Sequence, residues 1–509
     1  MRRKDSSSYI HGPMDETLLP HHEKIRRPFL SAWKQRRSRV LLAACILLTL
    51  TSAFYSSVLS FSSSLREHPR PVAVYEESDP NQIRFGSNSR TQTYDCHSPP
   101  PAARSPPQES YVLGPPTASF RDNLRNDTKY ITSFGGAGMT NDVMTFANLL
   151  YLAVITERVP ILPKFTAEYH IGGWDIPPIP VSEIFDLPRL RKQLGIPILE
   201  WHEVKDTDSE VLDDLGCWSV WEACNNNGEG PRWTRAPWWL NLDLSFTKAP
   251  DWICSHSQNH ARFWSMAPLA YPDTHKDSLG TPQPSPEHKA RLHPDEQLFC
   301  LDYLYYASVN KDFEYEFEWS PAWNHVLKQM KFTERVENLT KYYLRKALSV
   351  PQGADIPPFI ALHARHGDFD GHCDTFEDYK CYPAVAEYAK YVERLQRELL
   401  LTKGIVVENH HVIMTSDEKD PRWWDDVLAA GWTRVDFKKE AVVETYGNWY
   451  PSLIDSVIQS QATGFVGVDG STMSLIAARR VREWYGGLTT VVKWGRGHKG
   501  EYIIWDPDN

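Results

Sequence analysis

From Pro358 onward the chain alternates short apolar runs with segments of helical period. The runs are Phe359–His363, His411–Thr415, Val435–Phe437, Gly464–Val468 and Thr489–Trp494, and the helical patterns fall at Tyr382–Leu400, Tyr450–Ser460 and Met473–Trp484. Strands alternating with helices at this spacing predict a parallel sheet covered on both faces, hence an α/β fold. Ligands of such sheets gather beyond the carboxyl ends of the strands. His363, Arg365, Asp417 and Asp469 fall at those ends.

An earlier stretch has the same grammar. "ITSFGGAGMTNDVMTFANLLYLAVITERVPILP" reads as a strand end, a glycine-rich loop, a helix from Asn141 to Thr156 and a strand from Val159 to Leu162. Val143, Phe146, Ala147, Leu150 and Val154 recur at helical spacing. This strand–loop–helix–strand unit is the element of a doubly wound sheet. A Pro/Gly-containing linker, "SVPQGADIPP", separates the two regions. The Trp- and Pro-rich middle, 165–300, yields no structural reading.

Ahead of both lies Val40–Phe61, a stretch without charge. At about 1.5 Å per residue a helix of that length spans roughly 30 Å of hydrocarbon. Lys34, Arg36, Arg37 and Arg39 precede it, so the positive-inside bias puts the N-terminus in the cytosol. The basic leader is long for a cleaved signal peptide, which predicts a retained signal anchor and a single-pass type II topology. Residues 62–127, with "SPPPAARSPPQES", read as an extended stem. Everything beyond is then luminal, in the Golgi or endoplasmic reticulum. Asn126-Asp127-Thr128 and Asn338-Leu339-Thr340 fit the N-glycosylation pattern. Of 8 cysteines, all but Cys45 lie past the anchor. Cys217/Cys224 and Cys373/Cys381 are close pairs suited to disulfides in an oxidising lumen. The odd count leaves Cys96 in the stem, free or joining two chains as a disulfide-linked dimer. A net charge of -10 lacks the basic face of a nucleic-acid binder.

Ser471 and Thr472 follow strand 464–468 at the start of a helix, where backbone N–H groups and the dipole favour an anion. Arg365, at another strand end of the same sheet, can neutralise phosphates with a bidentate guanidinium. A plain N-cap by Asp469 or Ser471 is the structural alternative.

At these residues the chain resembles a known family. "HARHGD" is similar to the His-x-Arg signature of GDP-fucose-dependent fucosyltransferases, the protein O-fucosyltransferases and the α1,6-fucosyltransferases of N-glycans. "DSVIQSQATGFVGVDGST" resembles their later motif, and "GGAGMTNDV" their first glycine-rich loop, with Asn141 in the place of its Asn. The resemblance covers roughly 130–165 and 355–495. It implies two Rossmann-like domains of the GT-B type facing each other across a cleft, behind the single transmembrane helix and stem. The expected division is a cytosolic tail 1–39, an anchor 40–61, a stem 62–127, an acceptor-side domain 128–350 and a GDP-sugar-binding domain 351–509. By resemblance, His363 and Asp455 hold the guanosine of a GDP-fucose donor, and Arg365 contacts the β-phosphate. Ser471 and Thr472 take the phosphates, and Gly136 and Asn141 belong to the donor loop. The glycine loop lacks the basic residue often found there. The implied reaction is inverting transfer of fucose to a protein hydroxyl or a glycan, without a metal or other cofactor. Arg365 is the expected catalytic electrostatic group. Asp142, beside the loop, is a candidate base, although a carboxylate at a helix start is also an ordinary N-terminal charge.

Three rival readings remain. His366, Asp368, His372, Cys373 and Asp374 have metal-ligand chemistry without a recognised zinc spacing. Asp206-Thr207-Asp208 and Asp368-Phe369-Asp370 fit the short Asp-x-Asp pattern of manganese-dependent glycosyltransferases using another nucleotide sugar. Ser471 sits between strand and helix as in a serine hydrolase, but Gly-x-Ser-x-Gly is absent. A membrane-tethered carbohydrate-binding protein without turnover would use the Trp-rich middle.

Overall fold

The computed structural model of the protein describes residues 111–493 apart from 168–170, 174, 226–228, 256–259 and 368–381. The anchor, most of the stem, and the Cys373/Cys381 pair lie outside the described residues. Among those described, no helix is long and apolar enough to cross a membrane.

Strand β1 (Tyr130–Ser133) runs through the glycine-rich loop into helix α1 (Met139–Thr156), which returns the chain to β2 (Val159–Leu162). β1 and β2 are parallel, with Tyr130 beside Val159. α1 stops at Glu157, whose left-handed backbone turns its N–H back onto the Ala153 and Val154 carbonyls. Residues Asp142–Ala153 are buried without a break, so α1 is enclosed on all sides rather than laid along a surface. Burial of Leu149, Leu150 and Leu152 contributes about 1.5–3 kcal/mol each.

The unread middle supplies β3 (Leu199–Glu200), β4 (Asp213–Ser219), β5 (Leu242–Lys248) and the short β6 (Ala261–Arg262). β7 (Leu298–Leu301) and β8 (Ala307–Ser308) follow. The sheet order is β3-β2-β1-β7-β4-β5 and every pairing is parallel. β6 and β8 form a separate two-stranded ribbon.

Helix α2 (Glu334–Ala347) precedes the linker. After it come β9 (Ile360–Ala364), α3 (Val385–Lys403), β10 (Val412–Ser416), α4 (Pro421–Ala429) and α5 (Tyr450–Gln461). β11 (Gly464–Val468), α6 (Thr472–Tyr485) and β12 (Leu488–Val492) complete the half. The four strands are parallel in the order β10-β9-β11-β12. Gly464 is needed where α3 crosses the sheet, since a Cβ there would lie 2.9 Å from Leu395 and 3.1 Å from Ile360.

Two expectations are corrected. Val435–Phe437 forms no strand: β10 makes only an isolated bridge to Thr433, and Asp436 then accepts from the Lys439 N–H to start a turn. Cys217 does not pair with Cys224. Cys217 bonds Cys300 across adjacent β4 and β7, and Cys224 bonds Cys254. Cys217 lies in β4 just before the helical turn that carries Cys224, so each meets a partner from a distant loop or strand instead.

One apolar core spans both sheets, joining Phe146 and Leu150 of α1 to Phe359, Ala361, Leu453 and Ile476. Polar ties reinforce it at the start of α5. Trp449 Nε1 donates to the Pro177 carbonyl at 3.0 Å, and the Tyr450 hydroxyl donates to Glu183 at 2.7 Å.

Candidate active site

The glycine-rich loop is shaped from inside by Asp142. Its carboxylate accepts from the Gly136 N–H at 3.0 Å and the Ala137 N–H at 3.2 Å, and the residue is 1% exposed. A Cβ at Gly135 would fall 2.5 Å from that carboxylate, so glycine is required there. The carboxylate expected as a base therefore holds the loop, and Asp142 is not among the residues lining the cavity described below. The basic residue that the loop lacks in sequence arrives from far along the chain. Arg232 Nε donates to the Gly136 carbonyl at 3.2 Å, while its guanidinium lies over the rings of Trp221 and Tyr303. Arg232 is fixed in turn by Asp302, a fully buried carboxylate that accepts from the backbone N–H of Arg232, Val220 and Tyr303. Burial pushes the Asp302 carboxyl up to about 6 against those hydrogen bonds.

In the second half His363 ends β9 with its ring enclosed. Nδ1 lies 2.8 Å from Ser474 Oγ, which also accepts from the Val468 N–H at 3.0 Å. Burial, helped by the neighbouring Arg365 charge, pushes the imidazole down to about 3, so it is neutral near pH 7. Arg365 Nη1 donates to Asp417 Oδ2 at 2.8 Å, and the other oxygen of Asp417 accepts from the His366 N–H. Asp417, at the end of β10, thus orients the end of β9. Ser471 caps α6 by accepting from the Ser474 N–H.

The two halves meet at the helix starts. Thr472 Oγ1 donates to Asn141 Oδ1 at 2.7 Å, tying the first turn of α6 to the first turn of α1. Around this bridge opens a cavity of about 600 Å³. It is lined from one side by Ala137–Asn141 and from the other by His363, Arg365 and Gly470–Met473. Of the residues singled out in the sequence, Asn141, His363, Arg365, Ser471 and Thr472 share this cavity. Gly136 lies beside the lining residue Ala137. Asp455 does not reach the lining, although Ser452 one turn earlier in α5 does. Burial alone pushes the Asp455 carboxyl well above the usual carboxylate range.

Sequence reasoning missed Tyr305, Tyr306 and Phe313, which line the cavity from the first half. "YLYY" and the Phe313 turn belong to the unperiodic stretch after β7, and no spacing singles them out. Glu316 follows in the same turn. Burial, then the like charge of Asp469 in the loop leading to α6, pushes its carboxyl up to about 7.

The rival sites fare differently. Asp206 and Asp208 lie on an exposed turn, with the Asp208 N–H donating to Asp206. His366 Nδ1 engages Glu418 at 2.5 Å, and Asp368, Asp370, His372, Cys373 and Asp374 lie outside the described residues. Ser471 Oγ serves as a helix cap, and the buried imidazole bonds Ser474 rather than Ser471.

No family model and no curated protein matches the chain. Solved structures share its fold at low identity. POFUT1 in complex with GDP-fucose is 13% identical, with 73% of this chain and 99% of that chain covered and a TM-score of 0.45. The fucosyltransferase NodZ from Bradyrhizobium is 12% identical, with 70% and 94% covered and a TM-score of 0.36. At these identities the likeness concerns the fold and assigns no chemistry to this chain.

Proposed function

We propose that the protein is a glycosyltransferase that moves fucose from GDP-fucose to an acceptor hydroxyl with inversion. One observation carries the reading: two helix starts, from two different parallel sheets, border one cavity together with Arg365. Each start offers N–H groups without intrahelical partners and the positive end of a dipole. A diphosphate is the ligand that such a site suits, and Arg365 offers a way to balance its charge without a metal. The sequence motifs around His363, Asp455 and Ser471 favour GDP-fucose among diphosphate sugars. With Ser474 Oγ donating to Nδ1, the neutral His363 ring carries its proton on Nε2 and presents a donor. In the reaction the acceptor oxygen bonds the anomeric carbon as the bond to the β-phosphate oxygen breaks, and the acceptor proton passes to a base. Charge grows on the departing diphosphate, where Arg365 and the helix starts act.

Titration calorimetry of the protein with GDP, GDP-fucose and UDP tests the donor. Guanine nucleotides should bind more tightly, and Asp455→Ala should weaken GDP. Equal affinity for UDP and GDP would refute the assignment. Kinetics test the role of Arg365. Arg365→Ala should lower turnover by roughly two to three orders of magnitude, the range for one lost electrostatic donor, with a smaller fall in donor affinity. Arg365→Lys should not restore it fully, because an ammonium lacks the planar fork that Asp417 and a phosphate would share. Unchanged turnover in Arg365→Ala would reduce "HARHGD" to a turn. Activity retained in EDTA is the expected outcome that separates this reading from a manganese-dependent transferase.

A further inference from the structure

Facing the helix starts, the first half presents aromatic rings to the cavity. Tyr305 and Tyr306 meet edge to face with centroids 4.7 Å apart, and Phe313 lies 6.0 Å from Tyr306. His260, buried behind them, packs edge-on against Phe313 at 4.6 Å and Tyr306 at 5.3 Å. This wall is fastened to α1. Asn148 Nδ2 donates to the Leu304 carbonyl at 2.7 Å and the Tyr305 carbonyl at 3.4 Å, and its Oδ1 accepts from the Tyr315 hydroxyl at 2.8 Å. The helix that offers its start to the cavity therefore also fixes the rings opposite.

Phe313 is the odd member. Its backbone is left-handed, with φ 53°, and its ring is 45% exposed. A bulky residue rarely adopts that conformation, and strain of this kind persists where the surroundings over-determine it. An exposed phenyl gains little by staying there unless something covers it.

We infer that this wall is the acceptor subsite and that the acceptor is a glycan, whose sugar ring stacks on Tyr306 and Phe313. The inference rests on the nucleotide-sugar reading of the opposite side. A pyranose has a flat face of C–H groups that suits an aromatic ring, and hydroxyl edges that suit phenol oxygens. The rival occupant of an aromatic wall is the guanine of the donor. The donor's base is drawn the other way, toward α5, where Ser452 lines the cavity and Asp455 offers a carboxyl one turn on. That leaves the rings of the first half to the acceptor.

The test measures binding to the full chain, without turnover. The probes are gluco-, manno- and galacto-configured tetrasaccharides, a serine/threonine-rich peptide and GDP, each titrated separately. At least one tetrasaccharide should bind. Tyr306→Ala and Phe313→Gly should each weaken it at least tenfold and leave GDP affinity within twofold, while Tyr306→Phe should retain most of the affinity. Phe313→Gly should not lower Tm, because glycine accepts the left-handed backbone. That variant therefore separates loss of the ring from loss of the fold. Sugar binding through the wall without any GDP binding would sink the donor reading and leave the wall's role intact. Binding of the peptide but of no tetrasaccharide overturns the inference. So does a fall in GDP affinity in Tyr306→Ala and Phe313→Gly with sugar affinity unchanged, which would make the wall a platform for the base.

Discussion

His363 carries the largest pH consequence of any single site residue. Its folded pKa of about 3 lies below the ordinary histidine value, so the unfolded chain binds the extra proton first. The stability that depends on the neutral ring is complete above about pH 6.5 and is lost as pH falls toward 3, at about 1.4 kcal/mol per pH unit. Urea unfolding at pH 7 and pH 5 should reveal an acid loss about 2 kcal/mol larger in the wild type than in His363→Asn. Equal losses would mean that the ring is not enclosed as described. Asp142 makes a different point. If it were the base, Asp142→Ala would abolish turnover and leave the donor bound. With its carboxylate on the Gly136 and Ala137 N–H groups, removal instead leaves two buried donors unpaired, costing about 1–3 kcal/mol each. Calorimetry should then find weaker GDP binding together with a lower unfolding free energy. Full stability and full donor affinity in that variant would return Asp142 to the list of bases.

Strands that pass beneath loops set the next scale, and β4 is the tightest of them. A Cβ on Gly216 would lie 1.9 Å from the carbonyl oxygen of His293, and the Asp295 N–H donates to Gly216 across the same contact. Gly216→Ala should cost about 3 kcal/mol by forcing that loop off the strand, read as a fall in the urea midpoint. A midpoint within error of the wild type would disprove the contact. β4 also illustrates why the middle was illegible. Its sequence, "DDLGCWS", is neither an apolar run nor an alternation, because Asp213 is bound inside to Lys205 at 2.7 Å and Gly216 answers to a neighbour remote in sequence. β5, "LDLSFTK", does alternate and was open to detection, but its polar face is also covered, with Asp243 accepting from Ser285 and the His288 N–H. By contrast β11 matches its sequence-based bounds, since Gly464–Val468 is a buried apolar run followed by a helix cap. The same logic divides the site. Asn141, His363, Arg365, Ser471 and Thr472 sit at ends of periodic elements and could be read. The aromatic wall and Arg232 depend on long-range packing and left no local period.

At the scale of the whole molecule, the compartment decides which cross-links form. Cys217–Cys300 joins residues 83 apart, and closing a loop of that length removes denatured-state entropy worth about 4.5 kcal/mol in the chain-entropy model. Such bonds belong to an oxidising lumen, which is where the basic flank of Val40–Phe61 would deliver the described residues. The paired replacement Cys217→Ser with Cys300→Ser should lower stability by about 2–5 kcal/mol, measured by denaturant unfolding. Glycosylation gives an independent reading of topology, and the fold distinguishes the two acceptor triplets. Asn126 occupies an exposed turn just before β1. Asn338 lies on α2, where the Thr340 hydroxyl is fully buried and donates to the Val336 carbonyl, so that triplet closes as soon as the helix forms. Isolated helices form within about a microsecond, long before a neighbouring loop is fixed. Endoglycosidase treatment of the protein from a secretory-pathway host should therefore reduce its mass. Asn126→Gln should remove that shift, and Asn338→Gln should leave it. A wild-type chain whose mass does not change, and whose globular part is digested by protease added outside intact vesicles, would place these residues on the cytosolic side and end the type II reading.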